Sequence, residues 1–315
     1  MTTHGLIDPE LLPGLDLLPA RVLTTETLPE VRRQMAEAVA AAPAPNPAFG
    51  TLAVHRVGAV EVRVYTPAGG DPDSRHPALL HLHGGGYVIG SAAERDAAQL
   101  ELAAELACVI ASVDYRLAPE SPHPGPVEDA YAALKWLHDK AGSLGVDPAR
   151  IAVGGESAGG GLAAALALLA RDRGEVRIVF QHLIYPMLDD RTVTEADPNP
   201  FTGEFIWTRE HNRFGWTALL GREPGGSDVS PYAAPARADD LSGLPPAFIA
   251  VGALDLFLEE DMDYAQRLIR AGVPVELHVF PGAFHAFDRV PNARAALVVR
   301  NRSRSALRGA LHPRR

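Results

Sequence analysis

Residues 151–170 read IAVGGESAGGGLAAALALLA. IAVGG has the apolar make-up of a short buried strand, and AGGGLAAALALLA that of a buried helix rich in Ala and Leu. Between them, Gly155-Glu156-Ser157-Ala158-Gly159 has the spacing G-x-S-x-G. Between a strand and a helix this spacing makes a tight, strained elbow that lifts a Ser hydroxyl off the end of a sheet, so the flanking positions must be small. A plain βα turn with Ser as helix N-cap would use the same residues, and the motif alone leaves both readings open.

Outward from this element the chain alternates. Short β-rich runs occupy residues 52–57, 60–65, 78–83, 108–114, 151–155, 178–184, 247–251 and 275–280. The first two are separated by Gly58-Ala59 and read as a hairpin. Helical stretches near 94–107, 127–140, 158–173 and 259–271 separate most of the others. Such alternation predicts βαβ units and a mainly parallel sheet with helices on both faces. Two segments break the rhythm: residues 1–50, with the helix-like PEVRRQMAEAVAAA and the Pro-rich APAPNPAFG, and residues 186–245, polar with scattered aromatics. Both read as additions to a core made of 51–185 and 246–315.

Composition narrows the function. At 315 residues the chain can bury a large core, and 47% apolar with 22% charged residues is ordinary for a globular protein. A net charge of −10 argues against nucleic acid as partner. No run reaches the roughly 18 apolar residues of a membrane span, and the first residues carry no basic stretch followed by an apolar one. With Cys108 as the one cysteine, a cytoplasmic location is expected.

A second stretch, HLHGGGYVIG at residues 81–90, explains what the Ser would need. A nucleophilic Ser requires N–H donors aimed at the developing oxyanion. Gly84 and Gly85 can bring bare backbone close to a substrate, and the Ala158 N–H, just after the Ser, adds a further donor. No Lys-Ser/Thr follows the glycines and G-x-G-x-x-G is missing, so neither phosphate-loop pattern applies. The base and its orienting acid are expected in the order Ser, Asp/Glu, His. Asp255 follows one late strand and His285 the next, at the carboxyl ends where open α/β sheets build their sites. His182 and His278 lie inside strands, and His211 lies in the insertion. Glu259, Glu260 and Asp261 open a helix and read as first-turn charges. His81 and His83 share a strand face but lack a third ligand at suitable spacing, so neither metal nor cofactor is expected.

Taken together, the stretches 81–90, SVDYRLAPESPHPGPVEDAYAALKWL (112–137), GGESAGGGLAA, YPMLDDR (185–191) and GAFHAF (282–287) resemble the hormone-sensitive-lipase-like family of α/β-hydrolases, in its bacterial carboxylesterase branch. The resemblance runs from about Val60 to His285 and beyond. It implies an α/β-hydrolase fold: a mostly parallel eight-stranded sheet, helices on both faces, and a helical cap built from the N-terminus and the insertion after strand six. It implies hydrolysis of short- to medium-chain carboxylic esters without a cofactor. By motif, Ser157, Asp255 and His285 match the triad, and Gly84, Gly85 and Ala158 the oxyanion hole. Glu156 stands where many relatives have Asp, and Asp255-Leu256-Phe257 where many have Asp-Pro-Leu.

Three readings complete the picture. Asp114, Arg116 and Glu120 are expected to brace the loop beside the glycine strip as one polar network. Tyr87, Phe205, Trp207 and Phe214 are expected to line the substrate pocket. The seven arginines from Arg294 to Arg315 read as the polar face of a terminal helix. The expected partner is a small ester met by a monomer or homodimer. An amidase of arylformamidase type on the same fold, or a small-molecule receptor, are the alternatives; a receptor would ordinarily have lost a catalytic residue, and here every position is filled.

Overall fold

A computed structural model describes residues 2–18, 22–69 and 75–313. Among these, eight strands form one sheet: β1 Gly50–Val57, β2 Val60–Pro67, β3 His76–Leu82, β4 Val109–Asp114, β5 Val146–Glu156, β6 Gln181–Ile184, β7 Ala247–Gly252 and β8 Val275–Phe280. Their order is β1-β2-β4-β3-β5-β6-β7-β8. β1 and β2 pair antiparallel from Gly50↔Pro67 to Val57↔Val60, β2 is antiparallel to β4, and every later pair is parallel. All eight strands read from sequence are present. β6 begins later than the apolar run at 178–184 suggested. Pro245 and Pro246 precede β7, and because Pro lacks an N–H donor, pairing starts only at Gln181↔Ala247.

The helices are α1 Pro13–Leu17, α2 Leu28–Ala41, α3 Asp96–Leu106, α4 Gly125–Asp139, α5 Ala158–Arg173, α6 Arg209–Leu220, α7 Leu258–Arg270 and α8 Arg294–Leu311. Strand side chains alternate between two apolar layers. Val62, Val64, Leu80 and Val113 pack with α4, α5 and α7, whereas Tyr65, Leu79, Ile110 and Phe248 pack with α3 and α8. α5 is buried along residues Ala158 to Ala170, which is why its sequence is Ala and Leu rather than amphipathic. Gly159 lets it approach the sheet: a Cβ there would stand 2.0 Å from the Leu82 carbonyl oxygen. The tail is the terminal helix expected, α8, with Arg304 and Arg308 facing Glu105 of α3; Arg314 and Arg315 lie outside the described residues.

The polar segment after β4 departs from the reading as one network. Asp114 accepts from Ala92 N at 2.9 Å, Arg116 forks onto Asp129 of α4 at 2.7 and 2.8 Å, and Glu120 pairs with Arg32 of α2 at 2.7 Å. Each group is satisfied by a different element, two of them distant in sequence. The segment therefore ties α2, α4 and the turn before α3 together rather than closing on itself.

Candidate active site

β5 ends at Glu156, α5 starts at Ala158, and Ser157 joins them with φ 57° and ψ −124°. That backbone is strained for a residue with a Cβ. It is held by Ser157 N–H donating to the Ile184 carbonyl at 2.9 Å, while the Ser157 carbonyl accepts from Gly161 and Met187 at 3.0 Å. The elbow reading of Ser157, rather than the N-cap reading, describes this geometry: its side chain caps nothing.

The hydroxyl instead meets His285. Its Oγ is 3.0 Å from His285 Nε2, and His285 Nδ1 is 2.8 Å from Asp255 Oδ2. Asp255 follows β7 and His285 follows β8, so the three groups are carried by the connections after β5, β7 and β8, parallel strands in one half of the sheet with β6 between the first two. Asp255 is 1% exposed, and its other oxygen accepts from Phe257 N at 3.1 Å, which fixes the carboxylate plane. The imidazole is boxed by Tyr185 and Phe257, edge-on at 4.7 and 5.3 Å, and by Trp207 at 6.3 Å.

The glycine strip faces this chain. Gly85 has φ +122°, in the region Gly tolerates and side chains avoid, and its carbonyl takes the N–H groups of Val88 and Ile89 at 3.0 Å. Among the described residues the N–H groups of Gly84, Gly85 and Ala158 donate to no protein acceptor, although Gly84 lies against the elbow. Beneath the elbow, Glu156 lies 3.0 Å from His81 Nε2 and 3.3 Å from an Arg95 nitrogen, and His81 Nδ1 is 3.2 Å from Ser112 Oγ. Burial alone would raise the Glu156 carboxyl, but facing His81 and Arg95 it is held below the ordinary carboxylate range. His83 bonds the Gly84 carbonyl at 2.8 Å and stacks on Tyr115 at 4.2 Å, and burial pushes its pKa down. The two His residues thus hold the strip and the elbow from below.

A cavity of about 230 Å³ opens over Ser157. Gly84, Gly85 and His285 floor it; Leu23 and Met35 from the N-terminal segment and Trp207 and His211 from the insertion are among its walls. Of the four aromatics expected to line it, Trp207 does. Tyr87 is buried beneath the strip, 5.8 Å from Trp216, because φ 65° turns it from the cavity into the core. Phe205 packs on Phe284 and His4, at 6.2 and 6.4 Å, and Phe214 borders an outer groove with Val193 and Arg213. The aliphatic wall supplied by α2 and the segment before it was missed. Its one sequence signal was Met35, one turn on from Val31 in a helix that also carries Glu30, Arg32, Arg33 and Glu37.

The competing residues are engaged elsewhere. His182 is 2.5 Å from Ser303 Oγ and stacks on Phe248, and burial pushes its pKa down to about 4. His278 pairs with Glu276 at 2.7 Å. Glu260 and Asp261 are not solvated first-turn charges. Loop 188–192 covers the start of α7, and Glu260 accepts from Leu188 N at 2.6 Å and bonds Thr192 Oγ1. Asp261 is fully buried, and burial raises both carboxyls well above their ordinary range. Glu259 stays exposed and reaches Asn199 at 3.2 Å.

Known proteins share this architecture. A family model described as alpha/beta hydrolase fold matches residues 79–289. Esterase LipI of Mycobacterium tuberculosis is 36% identical over 310 residues, 97% of this chain and 96% of its own. Carboxylesterase NlhH of the same organism is 39% identical over 265 residues, 80% of this chain and 79% of its own. A solved structure titled Bacterial Heroin Esterase superposes with a TM-score of 0.87 at 39% identity, covering 99% of this chain and 100% of that one.

Proposed function

We propose, from the premise that this chain belongs to the hormone-sensitive-lipase-like family of α/β-hydrolases and hydrolyses carboxylic esters, that Ser157, His285 and Asp255 carry the reaction. The observation that supports this reading most strongly is the unbroken hydrogen-bonded chain from the Ser157 hydroxyl through the imidazole to the Asp255 carboxylate, at a strained elbow under a cavity. Ser157 Oγ attacks the ester carbonyl carbon while His285 Nε2 takes its proton. The carbonyl oxygen, now an anion, is held by the N–H groups of Gly84, Gly85 and Ala158. Collapse breaks the C–O bond to the alcohol, which leaves with the proton from Nε2. Water then attacks the acyl-enzyme by the same steps, releasing the acid and restoring Ser157. Asp255 keeps the Nδ1 tautomer and stabilises the imidazolium.

Residues 1–50 and 186–245 serve as the cap, since both contribute walls to the cavity. The small, mostly apolar cavity favours short- to medium-chain acyl groups. The enzyme works as a monomer or homodimer in the cytoplasm, in keeping with Cys108, whose thiol burial pushes up to about 12 and so keeps protonated. The test is a series of p-nitrophenyl esters from acetate to decanoate set beside matched anilides. Turnover of the shorter esters at rates far above the anilides is expected. Faster cleavage of the anilides would replace the esterase reading with an amidase.

A further inference from the structure

Beside the catalytic cavity lies a larger cleft of about 720 Å³, walled by the Pro-rich stretch after α2, the turn into α3 and its first residues, the turn at Asp288 and Arg289, and Arg300 of α8. The two share Glu94 and Arg289 in their walls, so the cleft borders the space over Ser157 at these residues. Four arginines and three acids line it, a positive balance on a chain whose net charge is −10.

Two of those arginines are committed. Arg63 is forked onto Asp96, which also accepts from Tyr65 Oη at 2.6 Å, and Arg95 pairs with Glu156. Asp288 accepts from Tyr185 Oη at 2.5 Å. Glu94 accepts from Ser91 N at 3.1 Å. Arg289 and Arg300 differ: among the described residues neither makes an ion pair or a side-chain hydrogen bond. Arg300 is half-buried on the inner side of α8, where a solvated surface charge has no reason to point. Arg289 stands close enough to the elbow for its charge to act on Glu156 and Tyr185.

We infer that this cleft binds an anionic group, a carboxylate carried on the part of the ester remote from the reacting carbonyl, through Arg289 at the junction and Arg300 beyond it. The inference rests on the esterase reading and names the substrate class for the same Ser157 site. Paired guanidinium groups suit a carboxylate because each presents a planar fork of donors. The apolar cavity alone gives no reason for an ester substrate to carry charge; the cleft does.

The experiment measures kcat/KM for two substrate pairs. On the acyl side the pair is mono-p-nitrophenyl glutarate and p-nitrophenyl pentanoate; on the alcohol side, 4-acetoxybenzoate and its methyl ester. The readout is the ratio of charged to neutral substrate, so intrinsic reactivity cancels when Arg289→Ala and Arg300→Ala are compared with the wild type. In at least one pair the ratio should fall about tenfold in Arg300→Ala, whose site is half-buried, and about threefold in Arg289→Ala, whose side chain is exposed and more strongly screened. The corresponding Arg→Lys variants should keep part of it. The wild-type preference should shrink as salt rises from 0.01 to 0.5 M. An unchanged ratio in both pairs for both variants, with neutral esters still cleaved by the wild type, overturns the inference and leaves the esterase reading standing. Failure of the wild type on all four substrates overturns both.

Discussion

Replacing Gly85 with Ala isolates the contribution of bare backbone. A Cβ at Gly85 would lie 2.1 Å from the Ile89 carbonyl oxygen, 2.7 Å from its carbon and 3.1 Å from Ile89 Cγ1. The first two are backbone atoms, so no side-chain rotation relieves the overlap. The native φ of +122° is also closed to Ala. The strip must therefore rotate, and the Gly85 carbonyl that anchors Val88 and Ile89 moves with it. Loss of one aligned oxyanion donor costs roughly 10²–10³ in kcat, about 3–4 kcal/mol of barrier. Because the donor acts on the developing anion more than on the bound ester, KM should change little. The assay is steady-state hydrolysis of p-nitrophenyl butyrate, with circular dichroism to show that the fold persists. Gly142→Ala is the control, since a Cβ there meets nothing within 4 Å. Gly90 cannot serve: its φ is +96° and a Cβ would stand 2.5 Å from the Gly84 carbonyl oxygen. A folded Gly85→Ala enzyme with wild-type kcat, or with a change confined to KM, would refute the oxyanion role.

Three further outcomes are expected. Asp255→Asn should lower kcat roughly 10⁴-fold with little change in melting temperature, because the amide holds the wrong imidazole tautomer; Glu259→Gln, on an exposed side chain, should be near wild type in the same assay. Glu156→Gln strips the charge from a buried site facing His81 and Arg95 and should cost about 3–5 kcal/mol in denaturant unfolding. Since the wild-type carboxyl is held low when folded, its stabilisation is present above the ordinary carboxylate range and is lost as pH falls through the folded value. His182 is neutral when folded, with a pKa near 4, so the unfolded chain binds the extra proton between about pH 6.5 and 4. Unfolding free energy should fall across that window by on the order of 3 kcal/mol, and His182→Gln should flatten the fall.

The parts of the molecule that were legible in sequence are those written by local rules. Short β-rich apolar runs marked the strands, and the Gly-bounded elbow at 155–159 and the strip at 84–86 announced themselves because few residues other than Gly fit such backbone. Asp255 and His285 were picked out by position, each following a strand, and their side chains meet at 2.8 Å. What was not legible depends on which distant surface a side chain meets. Glu260 and Asp261 carry the pattern of exposed helix-start acids, yet loop 188–192 closes over them. Glu120 finds its partner in Arg32, 88 residues away. Tyr87 stands next to the glycine strip, but its positive φ sends the ring under the strip instead of over it. The walls from Leu23 and Met35 arise from an N-terminal segment with no motif, placed only by tertiary packing.

The most direct test of the account is the site of covalent trapping. The enzyme is treated with paraoxon until p-nitrophenyl butyrate hydrolysis ceases, and the adduct is located by peptide mass spectrometry. A single diethylphosphoryl group on Ser157, in step with loss of activity and absent from an inactive Ser157→Ala variant, is the predicted result. An adduct on another residue, or more than a few per cent of wild-type ester turnover by a folded Ser157→Ala enzyme, would contradict it.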